Sequence, residues 1–271
     1  MKDGIILWEA HRAGAGGYEL PESCLAAFEY GWGLGGRPEA DVNVTSDGVM
    51  VSLHDSTLDR ICPKLPEHLK GRNISEMTWA ELESVDIGWD DFPDQHVVSL
   101  DTLFAILQAN PDRNMVIDYK RVCIRDLAEK INSYGVAGQI TFACCNPELL
   151  REFKGYAPEA RTKNWLGGTA ERIEEQFERL RQEEFHGITE VQLHLNDAPG
   201  KSWRYALAPE FVSEALQITK AHNVLLQVLP WKFERKDLFA ILELGVRSFA
   251  VDYPNHFKKY YADYFARQYS V

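Results

Sequence analysis

Residues 39–55 read EADVNVTSDGVMVSLHD. In the first half, Glu39, Asp41, Asn43 and Thr45 alternate with Ala40, Val42 and Val44, the period of two that marks a strand with one polar and one apolar face. Both carboxylates therefore project from the same side. The pair Asp47-Gly48 signals a tight reversal into a second β-rich run, 49–54. With a two-residue loop, opposed residue numbers sum to 95, which predicts Asp41 facing His54. Local structure alone would then gather two acidic oxygen donors and an imidazole, as a metal-assisted site requires.

Outward from this hairpin, strand-like and helix-like runs alternate nearly to the end of the chain. Strands are predicted at 5–9, 39–45, 115–119, 140–144, 162–165, 188–195, 224–229 and 247–251, with 49–54 as a return arm. Helical patterns fill 21–30, 99–108, 124–134, 147–153, 169–184, 209–221 and 235–244. This repeat suits a (β/α)8 TIM barrel, which takes roughly 250 residues. A doubly wound open α/β sheet would read similarly. Residues 55–98 carry Pro63, Pro66 and Pro93 with one short helical piece at 78–83, so they read as a small insertion after the second strand's hairpin. One domain over residues 1–271 accounts for the pattern.

Composition narrows the class. The chain has 271 residues, 45% hydrophobic and 26% charged, enough to bury a full core. Its net charge of -12 argues against a nucleic-acid partner, which needs a basic face. No run approaches the roughly 18 apolar residues of a membrane span, and Met1-Lys2-Asp3-Gly4 leads straight into a strand-like run without a secretory pattern. A cytoplasmic protein is the expectation. Five cysteines at irregular spacing, without a C-x-x-C, suit reduced thiols better than a disulfide frame.

In a TIM barrel the reactive groups stand at the C-terminal ends of the strands. The first strand ends at His11-Arg12, the second supplies Glu39 and Asp41, the third ends at Asp118-Tyr119-Lys120, and the last at Asp252-Tyr253-Pro254. Glu39, Asp41 and Asp118 are hard oxygen donors suited to Mg²⁺ or Ca²⁺. Arg12 is a planar fork and Lys120 a point charge, both matched to phosphate oxygens. His11 and His54 are the side chains whose ordinary pKa lets one accept and the other donate a proton near neutrality. Phosphodiester cleavage uses all of these functions, with a small-molecule diester as the partner.

The ordered set His11-Arg12, Pro21-Glu22-Ser23, Glu39-x-Asp41, Thr45-x-Asp47-Gly48, His54-Asp55, Leu58-Asp59-Arg60, Asp118-x-Lys120 and Asp252-Tyr253-Pro254 resembles the glycerophosphodiester phosphodiesterase family. The resemblance spans nearly the whole chain. It implies a TIM barrel with an insertion after His54, a divalent ion on Glu39, Asp41 and Asp118, and acid/base roles for His11 and His54. It further implies phosphate contacts from Arg12 and Lys120, and a supporting role for Glu22, while Asp252 is expected to support the site by capping or pairing near the barrel rim. The chain departs from the family pattern in five places: His-Arg-Ala for His-Arg-Gly, a longer loop from His11 to Glu22, Ser23 for Asn, Asp118 for Glu, and Leu226-Gln227-Val228-Leu229 where a tryptophan-bearing run is usual. A lysophospholipase D-type substrate and a non-catalytic phosphate-binding barrel are the alternatives.

Other residues carry weaker expectations. His194 ends the sixth strand and is a pocket candidate, with Trp165 and Trp231 as apolar walls. Loops 14–17 and 196–205 are lid candidates. His68, His96, His186, His222 and His256 stand in no motif, and 171–184 reads as a solvated helix face.

Overall fold

The structure, a computed structural model, describes residues 6–14, 19–198, 200 and 202–268. Nine strands are named among them: β1 Leu7–Ala10, β2 Arg37–Val44, β3 Met50–Ser52, β4 Met115–Tyr119, β5 Ile140–Cys144, β6 Arg161–Leu166, β7 Glu190–Leu195, β8 Leu225–Pro230 and β9 Ser248–Val251. The sheet order is β1-β9-β8-β7-β6-β5-β4-β2-β3, and β1 also pairs with β2. All pairings but β2 with β3 are parallel, so eight strands close a barrel and β3 hangs from β2 as an antiparallel arm. This is the expected (β/α)8 architecture.

Helices cross between successive strands: α1 Leu25–Gly33, α3 Leu100–Ala109, α4 Ile124–Tyr134, α5 Pro147–Tyr156, α6 Ala170–Gln182, α7 Pro209–Ala221 and α8 Arg235–Glu243. Several open on a side-chain cap that satisfies an otherwise orphaned amide, as Ser99, Asn146 and Thr169 do for Thr102, Glu148 and Arg172. Between β3 and α3, the insertion holds one short α-helix, α2 Trp79–Glu83, under Thr78 in a capping box, after two single-turn 3-10 helices at Glu67–Leu69 and Ile74–Glu76. Its Leu58, Ile61, Ile74, Met77 and Leu82 join the same buried cluster as the barrel.

Two sequence expectations need correction. The hairpin register is shifted by one: Val42 opposes Ser52 and Val44 opposes Met50, so pairs sum to 94 and Asp41 stands opposite Leu53, whose amide donates to Asp41 O at 2.7 Å. The cause is a three-residue loop, Ser46 to Gly48, closed by Thr45 N on Val49 O at 3.0 Å, with Gly48 at φ +86°. A glycine in the left-handed region is what such loops require. The second correction concerns α1, which begins at Leu25, because Ser23 at φ 66° turns the chain first. A closing helix, α9 Pro254–Gln268, was not anticipated. Its aromatic-rich run has modest helix propensity, and packing of Phe257 against Trp8 and Phe249 holds it instead.

The apolar core lies between barrel and helices, where the even residues of β2, Ala40 and Val42, are fully buried. The barrel lumen is polar. Lys163 of β6 bonds both oxygens of Glu9 of β1 at 2.7 and 2.6 Å, and Arg37 of β2 bonds Glu190 of β7 at 2.8 and 3.0 Å. Neither pair of strands is adjacent, so these bonds cross the lumen. Gln192 donates to Gln227 at 2.6 Å in the same middle layer as Lys163. Three levels result: Arg37, Arg161 and Glu190 at the strand starts, Glu9, Lys163, Gln192 and Gln227 midway, and the acids and histidines at the strand ends.

Among the described residues, the five cysteines are unbridged and no helix is long and apolar enough to cross a membrane.

Candidate active site

At the C-terminal end of the barrel, β1 runs out at Ala10 and His11 N bonds Val251 O at 3.1 Å. The chain then turns through Arg12 at φ 51° and Ala13 at φ 66°, conformations that glycine tolerates best. Ala13 therefore occupies a left-handed position at the place where the family pattern has glycine. Gly31 of α1 lets this turn sit close, for a Cβ there would lie 2.8 Å from Ala13 O. The turn aims the Arg12 amide at Glu39 Oε2, 3.0 Å away.

Glu39, Asp41 and Asp118 face the lumen and are 6%, 4% and 4% exposed. Asp41 and Asp118 are register partners on β2 and β4. Lys120 lies between them, its Nζ 3.1 Å from Asp41 and 2.6 Å from Asp118. Burial lowers the Lys120 ammonium pKa, but the two carboxylates outweigh it and hold the group charged. Burial pushes the Asp118 carboxyl up, with Lys120 opposing and Glu39 reinforcing. The other oxygen of Asp118 accepts from the Trp165 indole at 2.9 Å.

The two histidines are held by different partners. Asp252 Oδ1 lies 2.6 Å from His11 Nδ1, and Glu39 Oε2 lies 3.7 Å from His11 Nε2. Burial disfavours the imidazolium, yet Glu39 and Asp252 more than compensate and its pKa is pushed up to about 9. His54 Nε2 lies 3.2 Å from Arg12 Nη2, and its Nδ1 lies 2.7 Å from Asp55 Oδ1. A guanidinium only donates, so Nε2 of His54 carries the lone pair and Nδ1 the proton.

Support comes from residues brought in over long distances. Arg60 of the insertion grips both oxygens of buried Glu22 at 2.9 and 2.7 Å and reaches Asp55 at 2.5 Å. Glu22 in turn stands 3.6 Å from Arg12. Trp231 meets His11 edge-on with centroids 5.5 Å apart, and His194 lies stacked on Trp165 at 5.4 Å and edge-on to Trp231 at 5.3 Å. Burial drops the His194 pKa to about 3, so this ring is neutral between its two tryptophans.

Every residue proposed for the site thus lies at this end of the barrel: His11, Arg12, Glu22, Glu39, Asp41, His54, Asp118, Lys120 and Asp252. They form two linked groups, one around His11, Glu39 and Asp252 and one around Arg12, His54 and Glu22, with Lys120 bridging Asp41 and Asp118 a strand away. Sequence reasoning missed positioning roles for Arg60, Asp55 and Trp165. The first two stood within quoted motifs, whereas nothing in the local sequence ties Trp165 to Asp118. The lid candidate 14–17 falls almost wholly outside the described residues. Of 196–205, residues 199 and 201 lie outside them, and Arg204 Nε on Asp197 at 2.5 Å straps the rest. His96 is engaged with Val85 O and Asp94, away from the site.

Buried carboxylates, phosphate-matched cations and a histidine pair at the strand ends of a (β/α)8 barrel define a hydrolase of phosphate esters. A family model, that of the glycerophosphoryl diester phosphodiesterase family, matches residues 11–256, and the chain belongs to that family. By that membership it is a phosphoric diester hydrolase. A glycerophosphodiester phosphodiesterase of Caldanaerobacter subterraneus subsp. tengcongensis is 25% identical over 266 residues, covering 94% of this chain and 96% of that protein. Among solved structures, the glycerophosphodiester phosphodiesterase of Agrobacterium tumefaciens superposes with a TM-score of 0.70 at 17% identity, covering 94% of this chain and 100% of the other. An Oleispira antarctica phosphodiesterase in complex with the product sn-glycerol-3-phosphate gives 0.71 at 18% identity, covering 94% and 96%. At these identities the two structures speak to the fold.

Proposed function

We propose that this chain hydrolyses a glycerophosphodiester to glycerol 3-phosphate and an alcohol, with help from a divalent cation. Family membership supports the reaction class. The observation that carries the division of labour is the contrast between its imidazoles: His54 Nε2 offers a lone pair to Arg12, while His11 is clamped between carboxylates.

The donor set fits a hard divalent ion. Glu39, Asp41 and Asp118 bring three buried negative charges, Lys120 returns one, and a charged His11 is already balanced by Asp252. Two negative charges are left over. Among the described residues no three such side chains are already drawn together as an ion cage, so the fit is one of charge and donor chemistry. Glu39, Asp41 and Asp118 would hold the ion, which when bound supplies positive charge to the phosphoryl oxygens.

The chain's own residues do the rest. Arg12 and Lys120 hold the phosphate as fork and point charge. His54 takes at Nε2 a proton from the attacking oxygen, either that of a water, which yields the monoester directly, or that of a neighbouring substrate hydroxyl, whose cyclic ester water then opens, and Asp55 keeps Nδ1 protonated so that this lone pair faces the site. His11 delivers the Nε2 proton to the leaving alkoxide, oriented by Asp252 on Nδ1. Trp165, His194 and Trp231 form an apolar wall that limits water on that side.

The test is release of glycerol phosphate from several glycerophosphodiesters by wild type, His11→Ala, His54→Ala and Asp41→Asn, before and after chelation and with Mg²⁺ or Ca²⁺ restored. Metal-restorable activity lost in all three variants supports the proposal. Activity that survives both histidine changes contradicts the reaction centre, and activity indifferent to thorough chelation contradicts the metal.

A further inference from the structure

The opposite end of the barrel holds a second charged chamber. There the first residues of β2, β6 and β7 set Arg37, Arg161 and Glu190 on the wall of a cavity of about 590 Å³. Trp32, Leu7 and Leu225 supply its apolar side.

Among the described residues its charge is not balanced. Arg37 takes both oxygens of Glu190 at 2.8 and 3.0 Å, while Arg161 Nε stands 3.8 Å from the same carboxylate. Both guanidiniums also share Thr141 Oγ1, at 3.4 and 3.1 Å. Two cations thus lean on one anion. Burial pulls the Arg161 pKa down, Glu190 opposes this, and the neighbouring Arg37 charge reinforces it. A third arginine on the wall, Arg113, is already neutralised by Glu29 at 2.7 and 2.8 Å. Asp112, also on the wall, is exposed, so water screens it, as it does in part Arg161, whose side chain is 39% exposed.

Donors are left over as well. Among the described residues, none accepts from the buried Arg37 Nε, a costly state for a charged group. Arg161 uses Nε on Thr141 and Nη2 on Asn114 at 2.8 Å, and no described residue takes its Nη1. Guanidinium donors with an excess positive charge are what a phosphate recruits, and the cavity is larger than a bare ion needs.

We propose that this chamber is a second binding site, for a small organic phosphate monoester whose phosphate meets Arg37 and Arg161 and whose apolar part lies against Trp32. It is separate from the reaction centre, since its strand-borne residues begin their strands while the catalytic groups stand at the strand ends.

The experiment titrates phenyl phosphate into chelated protein by calorimetry, in an Arg12→Gln background that removes the fork at the reaction centre. Arg161→Gln is added to lower the charge. Gly33→Leu is added separately to fill the cavity, because a Cβ at Gly33 meets nothing within 4 Å. Circular dichroism verifies that both proteins are folded. The expected result is saturable binding in the Arg12→Gln background that falls tenfold or more in either added variant. Absence of binding in that background, or binding unchanged by both added variants, overturns the proposal.

Discussion

Asp252 Oδ1 lies 2.6 Å from His11 Nδ1, although 241 residues separate them. Closure of the barrel makes the contact: β1 pairs with β9, Ala10 stands opposite Val251, and the next residue of each strand end meets the other. In the proposed mechanism Asp252 fixes which nitrogen of His11 faces the substrate. In Asp252→Asn the ring loses that anionic partner, so kcat is expected to fall about 100-fold with KM little changed. Steady-state kinetics on a glycerophosphodiester check this, and an unchanged kcat would remove Asp252 from the positioning role.

Lys163 and Glu9 are both fully buried and bonded across the lumen. Lys163→Met leaves the Glu9 carboxylate without its cation and is expected to cost about 3–5 kcal/mol. The double variant Glu9→Gln/Lys163→Met should recover most of that loss. Chemical denaturation of both proteins measures the difference.

Gly31 has backbone on one side and Pro38 on another, and a Cβ added to it would stand 2.8 Å from Ala13 O and 3.0 Å from Pro38 Cγ. Gly31→Ala is expected to destabilise by about 1–3 kcal/mol and to shift the Arg12 turn, lowering activity beyond the stability loss. Thermal unfolding and kcat/KM on the same preparation separate the two effects.

His194 is neutral when folded, because burial takes its pKa from 6.5 to about 3. Above pH 6.5 neither folded nor unfolded chain protonates it, so it has no effect on stability there. Below that, the unfolded chain gains a proton the folded chain refuses, at about 1.4 kcal/mol per pH unit before solvent screening. Between pH 6.5 and 5 this group should remove roughly 1–2 kcal/mol. In His194→Phe, which keeps a ring between the tryptophans, the urea midpoint should fall less steeply over that range. Equal slopes for the two proteins would show that another group titrates.

The alternation in β2 was legible because two lumen-facing carboxylates in a strand leave a period that needs no tertiary knowledge. The hairpin register was not, since one extra residue in the Thr45–Val49 loop shifts every pair and only backbone conformation reveals it. His54 still reaches the site, carried by the turn after β3 rather than by a ladder partner. The motif acids and histidines could be read because each lies in a strand or just beyond one, on the side of the barrel where the strands end. Arg60 on Glu22 and Trp165 on Asp118 could not, as those contacts join residues 38 and 47 apart through the packing of insertion and barrel. The unanticipated α9 belongs with them, being held by aromatic contacts to β1 and β9 rather than by its own propensity.

The division of roles between the two histidines has a direct chemical test. A p-nitrophenyl phosphodiester carries a leaving group that departs without a proton, whereas a glycerophosphodiester of an ordinary alcohol does not. With His11 as acid and His54 as base, His11→Ala should lose about 100-fold or more on the alkyl diester and little on the nitrophenyl ester. His54→Ala should lose heavily on both. Equal losses for His11→Ala on the two esters, or rescue of His54→Ala by the nitrophenyl leaving group, would contradict the assignment.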